Sequence, residues 1–65
     1  MTLYTIAEVA KIMRVNKTYV YKLINNGLLP VIKLGSYKVR DVALDEFLTK
    51  YEGMDLTDVN NVVAL

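Results

Sequence analysis

The sequence has no cysteine, no histidine and no tryptophan, and only one proline and three glycines. Without cysteine there is no disulfide and no thiolate ligand. Without histidine the usual zinc ligand sets cannot be assembled either. The same two absences remove the thiolate nucleophile and the imidazole general base. The carboxylates Asp45 and Glu46 fall on the outward face of a helix rather than in a pocket, so no catalytic residue, cofactor or metal is expected. No apolar run approaches the roughly 18 residues needed to cross a membrane. The N-terminus also lacks the basic start and long apolar stretch of a signal peptide. A soluble cytoplasmic protein is the expectation.

What is present is a high apolar content, 54% of 65 residues. A chain of this size buries only about 60% of its unfolded surface, so the whole core must come from those side chains. The net charge of +1 conceals a division. Residues 1–40 carry Lys11, Arg14, Lys17, Lys22, Lys33, Lys38 and Arg40 against Glu8 alone, a balance of +6. Residues 41–65 carry Lys50 against Asp41, Asp45, Glu46, Glu52, Asp55 and Asp58, a balance of −5. Segregation of this kind points to a polyanionic partner for the first part of the chain.

Thr5-Ile6-Ala7-Glu8 is a capping box, with Tyr4 and Val9 placed as a hydrophobic staple. The helix it opens puts Ile6, Val9, Ala10 and Met13 on one face. Met13-Arg14-Val15 leaves about three residues before the next helix, the length of a helix-turn-helix corner. Arg14 stands where glycine is commoner; a positive φ there would cost on the order of 1 kcal/mol. Asn16 caps the second helix, Val15 and Val20 form its staple, and Gly27 stops it. Val20, Leu23 and Ile24 share the inward stripe. Thr18, Lys22 and Asn25 face outward, flanked by Lys17, Tyr21, Tyr19 and Asn26, with no carboxylate among them.

Beyond Leu28-Leu29-Pro30, two alternating runs, Val31–Leu34 and Tyr37–Arg40, flank Gly35-Ser36, the signature of a two-residue hairpin. That turn would set Leu34 opposite Tyr37, Lys33 opposite Lys38 and Ile32 opposite Val39. Ile32, Leu34, Tyr37 and Val39 would then be core. Lys33 and Lys38 would lie side by side outside, at a cost in repulsion that an external anion would relieve. Asp41 is placed to cap a third helix with Leu44, Phe47, Leu48 and Tyr51 as its core stripe, ended by Gly53. Residues 1–51 are thus expected to form one domain. Residues 52–65 form a tail open to three readings: frayed, strapped to its own domain, or docked on a partner.

Helix, tight corner, helix, basic hairpin and closing helix make a winged helix-turn-helix, mainly α with a two-stranded wing. Thr5–Ala10, Val15–Tyr21, Gly27–Pro30, Lys33–Gly35 and Phe47-Leu48 resemble the excisionase-type DNA-binding domains of phages and mobile elements. Those domains are similar in turn to the DNA-binding half of MerR-type regulators. The resemblance covers about residues 3–50. It departs at the third helix, where Val42 and Ala43 replace the usual cap and acid, and at the wing, which is less basic than the common form.

The resemblance implies that the helix over residues 17–26 enters the major groove of double-stranded DNA, with Lys17, Thr18, Tyr19, Tyr21 and Lys22 towards bases and phosphates; Asn25 joins them by its place on the outward face. Arg14 would face a phosphate from the corner. The wing, with Ser36, Tyr37 and Lys38 at its tip and Lys33 and Arg40 along it, would meet phosphates or the minor groove. It further implies a recombination directionality factor that binds and bends DNA cooperatively, beside an integrase or other copies of itself, in association with the nucleoid. The alternative role is a small transcriptional regulator of a phage or mobile element, dimerising through Glu52–Leu65.

Overall fold

A computed structural model describes residues 1–65. The elements run β1 (Leu3–Thr5), α1 (Ile6–Met13), α2 (Lys17–Asn25), β2 (Ile32–Leu34), β3 (Ser36–Arg40), α3 (Asp41–Tyr51), β4 (Met54–Asp55) and β5 (Val63–Ala64). No helix is long and apolar enough to cross a membrane. The core joins Ile6, Val9 and Ala10 of α1, Val20 and Leu23 of α2, Leu29, Val39 of β3, Leu44 and Phe47 of α3, and Val59.

The two leading helices start and stop as the sequence requires. The Glu8 backbone N–H donates to Thr5 Oγ1 at 3.1 Å, and the Thr5 N–H donates to Glu8 Oε1 at 2.9 Å. The capping box is therefore complete. Asn16 Oδ1 accepts from the Tyr19 N–H at 2.8 Å. Both helices end in a Schellman arrangement, which satisfies orphan carbonyls of the last turn. In α2, Gly27 (φ 73°) is the left-handed residue, and Leu28 donates back to the Leu23 carbonyl at 3.0 Å. In α1 the same position is held by Arg14 at φ 58°, with Val15 donating to the Ala10 carbonyl at 3.0 Å.

An arginine in that conformation costs about 1–2 kcal/mol. Glycine would remove the strain but lose roughly 0.5–1 kcal/mol to its freer unfolded chain. Arg14→Gly should therefore stabilise the domain by about 0.5–1 kcal/mol, read as a higher urea midpoint at unchanged slope. A lower midpoint would show that the arginine side chain contributes more than its backbone costs.

The hairpin departs from the sequence expectation by one residue. Ile32 pairs with Lys38, Lys33 with Tyr37 and Leu34 with Ser36. The chain reverses at Gly35 (φ 81°) alone, and Ser36 already belongs to β3. A slip of one position exchanges the two faces of a strand. Ile32 and Leu34 are accordingly exposed, at 40% and 57%, rather than core. The phase is set upstream: Leu29 is buried and Val31 half-buried, so alternation carries Lys33 to the inner side and Ile32 and Leu34 out. The two lysines lie on opposite faces of the sheet, not side by side.

The sheet also has a third strand that the periodicity did not announce. β1 pairs antiparallel with β3, giving the order β1-β3-β2, with Tyr4 opposite Val39. The Asp41 N–H donates to the Thr2 carbonyl at 2.9 Å, which ties the start of α3 to the start of the chain. Asp41 is the first residue of α3 rather than its cap. Arg40 holds the cap position without a side-chain bond, and Asp41 Oδ1 accepts from the Val42 N–H at 2.8 Å. Leu48, expected in the core, is 43% exposed. The segment after α3 folds back as a strap: β4 pairs with β5, and Val59 enters the core.

Candidate nucleic-acid interface

On α2 the side chains divide cleanly. Val20 and Leu23 are buried and Ile24 half-buried, while Lys17, Thr18, Tyr21, Lys22 and Asn25 are exposed. At 100° per residue, Thr18 and Asn25 lie near the middle of the outward face, with Tyr21 and Lys22 on either side. This surface has cations, amide and hydroxyl groups, and no acid to repel an anion. Asn26 Nδ2 donates to the Lys22 carbonyl at 2.8 Å, so that amide serves the helix end.

One ring contact joins this face to the hairpin, and a second lies within the hairpin beside it. The Tyr21 and Tyr37 rings lie 6.3 Å apart between centroids at 51°, a favourable tilted geometry. Lys33 Nζ sits 5.6 Å from the Tyr37 centroid, a cation–π contact worth about 0.5–1 kcal/mol at an exposed site. Tyr21, Tyr37 and Lys33 thus form a continuous bridge that fixes the hairpin relative to α2. The register found here makes the bridge possible, because it places Lys33 opposite Tyr37. No sequence signal announces it, because Lys33 meets Tyr37 only in this register and Tyr21 meets Tyr37 only through the packing of α2 on the hairpin.

Lys38 is half-buried on the other side of β3 and donates from Nζ to Ser36 Oγ at 2.6 Å. Both hairpin lysines therefore have internal contacts, rather than facing each other with only an external anion to relieve them. Arg40 is exposed on the same face as Lys38, beside Leu3 of β1. Arg14 is exposed at the α1–α2 corner.

Tyr19 does not stand with the outward residues. It is half-buried, and its hydroxyl donates to the Leu56 carbonyl, linking α2 to the strap. Burial first, and the nearby Asp55 charge second, push its pKa above the usual phenol value. Asp55 is held below the usual carboxylate value, chiefly by the Thr57 hydroxyl at 2.6 Å and then by the Thr57 N–H at 2.9 Å. The signs are opposite. The Tyr19 contribution is complete below the unfolded phenol pKa of about 10 and is lost as pH rises through the higher folded value. The Asp55 contribution is complete above the unfolded carboxylate value and is lost as pH falls. Tyr19→Phe should cost about 1 kcal/mol and flatten the alkaline loss of thermal stability. An unchanged melting curve from neutral to alkaline pH would show that this hydroxyl holds nothing.

Residues 3–51 match the helix-turn-helix domain family, a span that takes in β1 through α3. The chain belongs to the helix-turn-helix domain family. Its α1, corner and α2 are the helices of that name. Among curated proteins it is similar to one named "Putative DNA-binding protein" in Mycobacterium tuberculosis, strains CDC 1551 / Oshkosh and ATCC 25618 / H37Rv. Each is 47% identical over 47 residues, covering 71% of this chain and 60% of the relative. This helix-turn-helix chain thus matches somewhat less than two thirds of the relatives' length. No solved structure matches it.

Proposed function

We propose that the chain binds double-stranded DNA, laying the outward face of α2 in the major groove and using the β2–β3 hairpin as a wing on the adjoining backbone. The observation that carries the reading is the acid-free face of Thr18, Tyr21, Lys22 and Asn25, braced to the hairpin through Tyr37 and Lys33. An α-helix fits the major groove, and the four base pairs are distinguishable there. Membership of the helix-turn-helix family and the printed name of the mycobacterial relatives support the same partner. Arg14, Lys17, Lys33, Ser36, Lys38 and Arg40 serve as backbone contacts, which position without specifying sequence. Tyr19 is left out of the contact set because its hydroxyl is engaged by Leu56.

One recognition helix and one wing read only a few base pairs, against on the order of a million or more competing genomic sites. Selection of a locus therefore needs several modules side by side. This favours cooperative binding to adjacent sites with bending of the DNA, the role of an excisionase-type directionality factor acting beside an integrase. The second reading is a small regulator acting as a dimer. Footprinting on the native site separates them: adjacent protected sites with altered bending support the first. A single short palindrome over a promoter, with no effect on recombination, overturns it in favour of the second.

A further inference from the structure

An open groove lies away from the outward face of α2. It is about 730 Å³ and lies between the α1–α2 corner, α3 and the strap. Met13, Val15, Leu48, Tyr51, Met54 and Leu56 give it an apolar lining, and Glu52 is the one carboxylate among the lining residues. The α3 side of this groove is ordered by helical spacing. Asp41, Asp45, Leu48 and Glu52 recur at i, i+4, i+7 and i+11, so exposed Leu48 is flanked by carboxylates along one stripe. Asp55 lies near enough to Tyr19, at the groove wall, to affect its ionisation. Lys50, the one cation of residues 41–65, is set over the Tyr51 ring at 5.3 Å.

An apolar groove with Glu52 in its lining and Asp45 one turn before Leu48 on α3 favours a basic occupant by charge. A second copy would bring its own −5 segment against this one. A neutral apolar ligand would leave those carboxylates unused. We propose that the groove docks a basic amphipathic helix of another protein, its apolar stripe on Leu48, Tyr51 and Met54 and its lysines or arginines towards Asp45 and Glu52. This is the helix-in-groove mode of recognition. The site lies apart from the outward face of α2, so it stands whether or not that face binds DNA.

The probe is a fluorescent leucine–lysine peptide of about 18 residues with leucines at i, i+3, i+4 and i+7, titrated into the full chain and followed by anisotropy. Leu48→Glu is the decisive variant, because it adds negative charge while removing an apolar anchor from an already exposed position. It should weaken binding at least tenfold, whereas simple attraction of opposite charges would tighten it. A scrambled peptide of equal composition should bind at least tenfold more weakly, and Glu52→Lys should lose several-fold. Thermal melts establish that each variant is folded; if Leu48→Glu is not, Glu52→Lys and the scrambled peptide decide. Equal binding of ordered and scrambled peptides overturns the proposal. So does unchanged or tighter binding by folded Leu48→Glu, or sedimentation showing that the groove is closed by self-association through Leu48.

Discussion

Affinity for nonspecific duplex DNA is expected to fall roughly 250- to 1,000-fold between about 50 and 200 mM salt. The log–log slope should be about −4 to −5, at roughly −0.9 for each phosphate neutralised. The whole-chain charge of +1 would predict almost no dependence, so the experiment decides between net charge and local charge. Local charge should win, because a Debye length of about 10 Å at 0.1 M salt screens distant carboxylates from an interface while leaving contacting cations intact. Lys17 on α2, Arg14 at the corner, and Lys33, Lys38 and Arg40 on the hairpin supply the five contacts. A slope near zero in a fluorescence titration would remove the DNA reading altogether.

The helices were legible because their signals are local. The Thr5–Glu8 box, the Asn16 cap and Gly27 each act within a few residues, and all three appear in the structure. The inward stripe of α2 followed from spacing alone, since a nine-residue helix presents its faces unambiguously. The strands were less legible because their phase is not local. The Gly35-Ser36 pair suited a two-residue turn, yet buried Leu29 fixed the alternation six positions before the reversal at Gly35. A three-residue strand such as β1 carries too little pattern to declare itself, and its pairing depends on a partner more than thirty residues away. Leu48 was assigned to the core by period, but the groove beside it leaves that part of α3 uncovered.

The same non-local geometry altered the candidate site. Tyr19 shares a helix with Thr18 and Tyr21, and composition cannot tell which tyrosine turns inward. The strap decides it, by offering the Leu56 carbonyl to the Tyr19 hydroxyl. Alternation alone puts Tyr37 on the core face, and the resemblance puts it at the wing tip. The tilted contact with Tyr21 and the cation of Lys33 make it the joint between helix and hairpin. Its role therefore follows from register, which the sequence left one residue out.

Lys22→Ala should cost about 1–3 kcal/mol at the native site and relax preference there for one base pair, with guanine as the expected partner. Lys38→Ala should weaken all sequences alike and reduce the salt slope by about one. The difference comes from where each ammonium can reach. Lys22 is exposed on α2, about 40–60° of helix rotation from Thr18 and Asn25, and no ring or hydroxyl claims it. Lys38 lies half-buried on the sheet face away from Lys33, with Ser36 holding its Nζ at 2.6 Å. A lysine held in this way presents its charge to a backbone passing the hairpin rather than to a base edge. Competition binding with every single-base change in the native site measures both variants in one series. A uniform loss for Lys22→Ala, or a base-selective one for Lys38→Ala, would put the reading surface on the hairpin and move α2 to the backbone.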